Sequence, residues 1–555
     1  MAVEPGALTG AHDGDRQSRG RPAVESPPDG AFQSHVTGAH GLKPRDGGGG
    51  GTGPLVPVGR WPSGWTLEVR PLGGGVVPVE RLSADDSLLL LSDGRWPQDV
   101  GVVAVVEGGT LRDGSGRPRV EAARKAVWHG LDAVPRLRQV LRVPPRVLGG
   151  PYWVDDPSFD LDHHVRVAPP LASGDDADLL TAIERIRSRR LDMRRPLWEL
   201  WLLPGFRDGR LALFVRMHHV VADGVAGLAT LATLLSDEAS ERPARAGEWS
   251  PRPAPSRGEL LHDSLRSRSR ALHGAMQAAA HPRASYASAT QLWHGIRGLV
   301  TGAPGPVTSL GGLVGPHRRL AVVRAQLEDV AAVAHNAHVT VNDVLLAMIA
   351  GGVSALLRSR GEPVDGLVVP VLVPVSLRRP DHQAGLGNRI SQMAVGLPVG
   401  EADPVARLRR ISAGTTSAKA LPHPSMGAVF SNRLLGALLL RLVIRKRINL
   451  LSADIVGPSR PLSFAGATVR DVFPLVNLLG DVTLGVGAIS YAGRFELLVV
   501  ADADLHPDVA VLASGAAAEL ASLVARVAPH CRARSRQGAE PVGVPHLQPT
   551  HKGIE

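Results

Sequence analysis

Apolar residues along this chain follow two rhythms, one helical and one strand-like, separated by long polar tracts. Up to residue 78 neither rhythm appears. Scattered Pro, Asp and Arg and the glycine run 47–51 predict a disordered Gly/Pro-rich extension. Patterning starts near Arg81, where Ser83 or Asp85 is placed to cap a short helix through residues 88–91. Residues 100–106 (VGVVAVV), bounded by Asp99 and Gly108-Gly109, form the β-branched run of a buried strand. A helix is expected around 118–139 and a strand over 159–167. Leu179, Leu180, Ile183 and Ile186 then recur at helical spacing within 177–192. Strands at 200–203 and 211–217 follow as a hairpin-like unit, turning at Pro204-Gly205 and Asp208-Gly209. From Val225 the spacing is helical again, so 218–224 reads as a strand-to-helix turn.

Residues 241–257 (ERPARAGEWSPRPAPSR) read as an exposed linker, and 258–300 as mostly helical. A second αβ region follows. It has a strand at 320–327, a helix at 327–335 and a long apolar helix at 343–357 that Asn342 opens as a candidate cap. Strands are expected at 367–375 and 390–397, with a late hairpin of 484–490 and 495–501 around Tyr491-Ala492-Gly493. The predicted organisation is an extension (1–78), a first lobe (79–240), a linker and helical crossover (241–315), a second lobe (316–530) and a loose basic tail (531–555). The fold class is α+β, two halves each with a mixed sheet and helices.

Composition narrows the partners. A chain of 555 residues exceeds what one core usually organises. Its 62 Lys+Arg against 52 Asp+Glu give a formal charge of +10, which attracts phosphates of any origin. Aromatics make up only 4% and do not interleave with arginine patches, so no nucleic-acid partner is expected. One cysteine, Cys531, excludes an intramolecular disulfide and a Cys-based zinc cluster. The first twenty residues carry no apolar h-region, and a cytoplasmic protein is expected. No run is read as reaching the ~18–20 apolar residues of a spanning helix. The nearest, 434–444 (LLGALLLRLVI), is broken by Arg441 and followed by Arg445-Lys446-Arg447. It fits a core helix with a basic end or a peripheral contact with a membrane interface, and periodicity does not separate the two.

The candidate chemistry lies in His218-His219-Val220-Val221-Ala222-Asp223-Gly224. A strand-end turn presenting an imidazole suits a general base, because its pKa near about 6.5 lets it take a hydroxyl proton at neutral pH. Asp223 offers an acceptor within the turn, and Gly224 allows positive φ. The chain's other pair, His163-His164, leads to Val165-Arg166 without an Asp-Gly and is read as structural. No Gly-x-Ser-x-Gly elbow accompanies the motif, so direct attack is favoured over a covalent intermediate. Neighbouring histidines on a strand point to opposite faces and no HExxH spacing exists, so no metal site is assigned.

His218 to Gly224 resembles the HHxxxDG motif of the chloramphenicol acetyltransferase and condensation-domain superfamily. Its flanks look like the bacterial wax ester synthase/diacylglycerol acyltransferase family: Arg195-Pro196-Leu197-Trp198-Glu199, the Asp208-Gly209-Arg210 turn, and Met217 through Gly227. The sequences Val341-Asn342-Asp343, Pro374-Val375-Ser376-Leu377-Arg378, Gly387-Asn388-Arg389 and Ser490-Tyr491 with Gly493 resemble its C-terminal half. The likeness covers about 80–530. The chain departs from the family at Ala453-Asp454-Ile455-Val456-Gly457-Pro458, which lacks the asparagine and first proline of Ser-Asn-Val-Pro-Gly-Pro. It also departs at Pro97-Gln98-Asp99-Val100 and at Gly311.

The resemblance implies two acetyltransferase-like lobes with an active-site tunnel between them. It also implies transfer of a long-chain acyl group from acyl-CoA, a co-substrate rather than a bound cofactor, to diacylglycerol or a long-chain alcohol. His219 would be the base, with His218 supporting it. Asp223 would be buried against an arginine, for which Arg378 is the candidate, and Gly224 would keep the turn tight. Asn342, Asn388 and Arg389 would approach substrate, and Trp198 is read as packing. Peripheral contact with the inner membrane face or lipid droplets fits such substrates. Two alternatives stay open: an acyltransferase for another lipid or polyketide alcohol, and a weakly active lipid-binding paralogue at storage-droplet surfaces.

Overall fold

The β-branched runs assemble into two six-stranded sheets. The computed structural model describes residues 79–221, 249–283, 286, 290, 305–376, 390–420 and 448–529. In chain order the strands are β1 (Asp99–Val106), β2 (Gln139–Arg142), β3 (Tyr152–Asp155), β4 (Val165–Val167), β5 (Trp198–Leu203), β6 (Leu211–His218) and β7 (Arg318–Gln326). They continue as β8 (Val369–Ser376), β9 (Ile390–Leu397), β10 (Leu450–Val456), β11 (Ser463–Phe464), β12 (Ala467–Leu475), β13 (Leu484–Tyr491) and β14 (Arg494–Asp502). The first sheet runs β11-β12-β1-β6-β5-β4 and the second β7-β14-β13-β10-β8-β9, with β2-β3 a separate pair.

The apolar run of β1 is explained by burial on both faces. Val102, Ala104 and Val106 pack with Ala123, Val127 and Leu131 of the helix Val120–Leu131. Val103 and Val105 face the other way, into a core shared with Leu320, Leu498 and Val500 of the second sheet. One edge of β1 pairs with β6 and the other with β12, both antiparallel. Residues 463–475 therefore leave the stretch assigned above to the second lobe and complete the sheet of the first. A central strand must satisfy both rows of backbone donors and acceptors, and β12 supplies the row that no N-terminal strand does.

Helices Leu327–Ala337, Val341–Ser359, Pro404–Lys419 and Val509–Val527 cover the outer face of the second sheet. Two of these, Val341–Ser359 and Val509–Val527, are long and apolar enough to cross a membrane, contrary to the expectation of no such run. They are core helices: Leu345, Met348, Ile349, Val353, Leu512 and Leu523 pack in one cluster with Val371, Val486 and Leu497 of the sheet.

Other expectations shift locally. The strand expected at 159–167 is a short 3-10 turn, Leu161–His163, followed by β4 alone. The Asp160 side chain accepts from the N–H of Asp162 and turns the chain there. The helix expected at 118–139 stops at Leu131, and Pro135–Arg138 forms a 3-10 turn into β2. Thr340, not Asn342, caps Val341–Ser359, in a reciprocal box with Asp343. The late hairpin forms as read, with Ala492 and Gly493 at φ 46° and 81°, the left-handed pair a two-residue turn requires.

Candidate active site

Strand β6 ends at His218, and the chain turns immediately: Val221 N–H donates to His218 C=O at 2.9 Å. The turn is pinned from below by Val220, buried among Leu141, Trp153, Leu191 and Leu197. His218 is itself buried. Its Nδ1 accepts from Val220 N–H at 3.2 Å, which leaves the ring proton on Nε2, 3.3 Å from Asp93 Oδ1. Burial works to raise the Asp93 carboxyl, but the His218 ring, the Gln98 N–H and the Arg190 charge together hold it below its ordinary value. His219 follows, half-buried, its backbone N–H donating 2.8 Å to Gln98 C=O.

Gln98 ties the turn to the second half of the chain. It is fully buried; its Nε2 donates to Trp96 C=O at 2.7 Å and its Oε1 accepts from Asn477 Nδ2 at 2.6 Å. Asn477 lies just past β12, so the crossing strand delivers a side chain to the residue that holds His219.

Beneath His218 on the same face of β6 is Arg216, almost fully buried. Its guanidinium reaches Asp99 Oδ2 (3.2 Å), Glu199 Oε2 (2.8 and 3.0 Å) and Arg189 C=O (2.7 Å). Burial pushes the Asp99 carboxyl up against the opposing pull of Arg216 and Arg187. This network braces β1, β5 and β6 where the histidines emerge.

The other histidine pair has a different setting. His163 Nδ1 meets Asp160 at 2.6 Å, whereas the His164 ring stacks between Phe159 and Trp198. Burial pushes His164 down to about 4, so it is neutral at physiological pH. Trp198 is buried with its indole N–H on Leu137 C=O at 2.8 Å, a packing role. A cavity of about 210 Å³ beside this pair is lined by Arg166, Arg189, Arg195, Glu199 and Trp201, together with Arg216; neither His218 nor His219 lines it.

The structure brings His218 and His219 together with Asp93, Gln98, Asn477, Asp99 and Arg216. Sequence reasoning missed these partners because they come from separate segments and match no spacing rule. Asn342 sits on the first turn of Val341–Ser359, and its neighbour Asp343 is engaged by Thr340 and by Thr415 Oγ1 at 2.6 Å. Asp223, Gly224, Arg378, Asn388, Arg389 and Cys531 lie outside the described residues, as do 434–447. Among the described residues no three His, Cys, Asp or Glu side chains gather as a metal site.

Known proteins identify the family. The wax ester synthase/diacylglycerol acyltransferase catalytic domain matches residues 82–345, and the C-terminal domain of the same family matches 386–524. A probable diacylglycerol O-acyltransferase of Mycobacterium tuberculosis H37Rv is 31% identical over 458 residues, 79% of this chain and 94% of the relative. The chain belongs to the wax ester synthase/diacylglycerol acyltransferase family. A second putative diacylglycerol O-acyltransferase of that strain is 30% identical over 467 residues, 80% of this chain and 90% of the relative. Among solved structures, a family member from Marinobacter aquaeolei VT8 superposes with a TM-score of 0.57 at 23% identity, covering 81% of this chain and 100% of that one. The first condensation domain of the calcium-dependent antibiotic synthetase gives 0.52 at 17%, covering 82% and 98%. Both likenesses concern the fold, which is the two-sheet α+β architecture expected.

Proposed function

We propose that this chain, an O-acyltransferase, moves a long-chain acyl group from acyl-CoA to the hydroxyl of diacylglycerol or of a long-chain alcohol, with His219 as general base. The observation that carries the reading is the position of His219. It stands at the strand-end turn of a family motif, its backbone fixed by Gln98 and its neighbour His218 locked in one tautomer against Asp93. In the reaction His219 takes the hydroxyl proton as the acceptor oxygen attacks the thioester carbonyl. The C–S bond then breaks, and the proton passes to the CoA thiolate. No covalent acyl-enzyme is needed.

In this reading His218 supports the base, while Asp223 and Gly224 shape the loop that follows it. Asn342, Asn388 and Arg389 are substrate-binding positions, and the active-site tunnel runs between lobes 79–240 and 316–530, the second of which lends 463–475 to the sheet of the first. The enzyme is cytoplasmic and meets its lipid acceptor at a membrane face or droplet.

The test is acyl transfer by purified protein from palmitoyl-CoA to diacylglycerol or hexadecanol, following free CoA and lipid product together. His219→Ala should lower the rate by about 10²–10⁴. Full transfer by that variant would sink the mechanism. CoA release without ester would point to a different acceptor alcohol.

A further inference from the structure

The helix Arg257–Ala280 is docked along only part of its surface. A capping box of Ser256 and Glu259 starts it, and Leu260 is buried against Val140, Tyr152 and Val154. Asp263 is paired with Arg81 at 2.8 Å, and Ser264 Oγ donates to Val147 C=O at 3.2 Å. Beyond those anchors, apart from Arg268 donating to Arg146 C=O at 3.5 Å, the helix stands in solvent. Leu261, Leu265, Leu272 and Met276 are 43%, 53%, 65% and 67% exposed. Their spacing of 4, 7 and 4 residues puts all four within a stripe about 60° wide at ~100° per residue. Val143 and Val147, more than 60% exposed, project from the adjoining loop that Ser264 grips. Monomeric proteins seldom leave so many large aliphatic side chains uncovered in one place.

The charges around this stripe have one sign. At ~100° per residue Arg257 and Arg268, both exposed, border the stripe, while Arg266 and Arg270 stand towards the far side of the helix. Arg142, at the end of β2, and Arg146, on the loop, are exposed beside it. The helix carries two acidic residues, Glu259 and Asp263, and both are engaged: one in the capping box, the other with Arg81. Among the described residues no carboxylate forms an ion pair with Arg257, Arg268, Arg142 or Arg146. Aliphatic side chains without aromatic anchors, flanked by arginines that no carboxylate pairs, fit a fluid anionic interface better than a packed protein partner.

We propose that the helix Arg257–Ala280, with the Val143–Val147 loop beside it, is the surface by which this protein docks on an anionic lipid interface. The choice of lipid as partner rests on the acyltransferase reading. The aliphatic stripe enters the acyl boundary, and the arginines meet lipid phosphates. This helix and loop are segments of the chain other than the basic stretch 441–447 singled out by its sequence.

The experiment is co-sedimentation of the full chain with vesicles of phosphatidylcholine, alone or mixed with phosphatidylglycerol. Transfer to a water-soluble short-chain alcohol is assayed in parallel. The wild type should partition to the mixed vesicles and be released by salt. Replacing Leu272→Glu and Met276→Glu together should weaken partitioning about tenfold or more. Arg257→Gln with Arg268→Gln should weaken it about tenfold on mixed vesicles only. All four residues are exposed, so folding and soluble-alcohol transfer should be unchanged. Wild-type levels of binding by both variants would overturn the proposal. So would a dimer that the Leu272→Glu, Met276→Glu protein loses while vesicle binding stays constant, because the stripe would then face a second copy. Variant-sensitive binding by a wild type that transfers no acyl group would uphold the surface and defeat the acyltransferase reading instead.

Discussion

At the scale of single residues, the histidine pair depends on buried polar groups supplied from elsewhere in the chain. Arg216 is the largest of these, its guanidinium shared by Asp99, Glu199 and a backbone carbonyl. Removing one member of a buried charge network strands the others. Arg216→Met should therefore cost about 3–5 kcal/mol in denaturant unfolding. Asp93 acts more locally. Asp93→Asn keeps an acceptor for the Gln98 N–H but removes the charge facing His218 Nε2. Steady-state kinetics should show kcat reduced by roughly 10–100-fold with KM little changed, because the loss is one of positioning. An equal loss in kcat and gain in KM would instead place Asp93 in substrate binding. The His218-His219 pair was legible in the sequence because adjacent histidines before an Asp-Gly are a local pattern. Asp93, Gln98 and Asn477 were not, since a partner 379 positions away leaves no local trace.

At the scale of elements, strands with β-branched runs, turns with Asp-Gly or Ala-Gly and the apolar helix at 343–357 were legible, whereas the helix Val509–Val527 was not. Val509–Val527 is apolar on most of its surface and shows no clean helical face to a reader of periodicity. The capping of Val341–Ser359 was legible but misplaced: Thr340 and Asp343 have the reciprocal cap spacing, and Asn342 falls between them. These two long helices cross closely because glycines meet there. A Cβ at Gly352 would lie 2.5 Å from Leu512 C=O, and one at Gly515 2.6 Å from Ala355 Cβ. Alanine gains about 1 kcal/mol of helix propensity over glycine. At Gly352 that gain meets a backbone atom that cannot rotate away. Gly352→Ala should therefore lower stability by about 1–3 kcal/mol net in thermal or denaturant unfolding, whereas the unhindered Gly274→Ala should raise it.

At the scale of the whole molecule, the lobes are joined by exchange rather than by simple contact. Strand β12 hydrogen-bonds in the first sheet, while its residue Val472 donates its N–H to the buried Glu496 carboxyl of β14 in the second. Arg324 of β7 grips Asp176 of the first lobe through two 2.8 Å bonds. Burial first, and the neighbouring Asp471 carboxylate second, push Glu496 up to about 8, with Arg494 pulling the other way. The folded state thus holds this proton more tightly than the unfolded chain, whose glutamate ionises near 4.5. The stabilising proton is fully effective below about 4.5, and its contribution is lost as pH rises towards 8. Glu496→Gln mimics the protonated form. It should be close to neutral at pH 5 and more stable than wild type by about 2–4 kcal/mol at pH 9. Thermal unfolding across pH would show this as a gap that opens between those limits; a constant gap would refute it.

The sequence by itself determined the reaction class and the two-lobed α+β plan. The reaction class follows from the resemblance of a seven-residue motif and its flanks to a known family, and the plan from strand runs and helix caps, which backbone sterics and side-chain type set within a few positions. Tertiary structure alone decided which strand completes the first sheet, which buried groups hold the histidines, and which helix keeps its apolar stripe in solvent. Those outcomes depend on pairing between distant segments, where many registers satisfy the local pattern and only packing with backbone hydrogen bonding selects one.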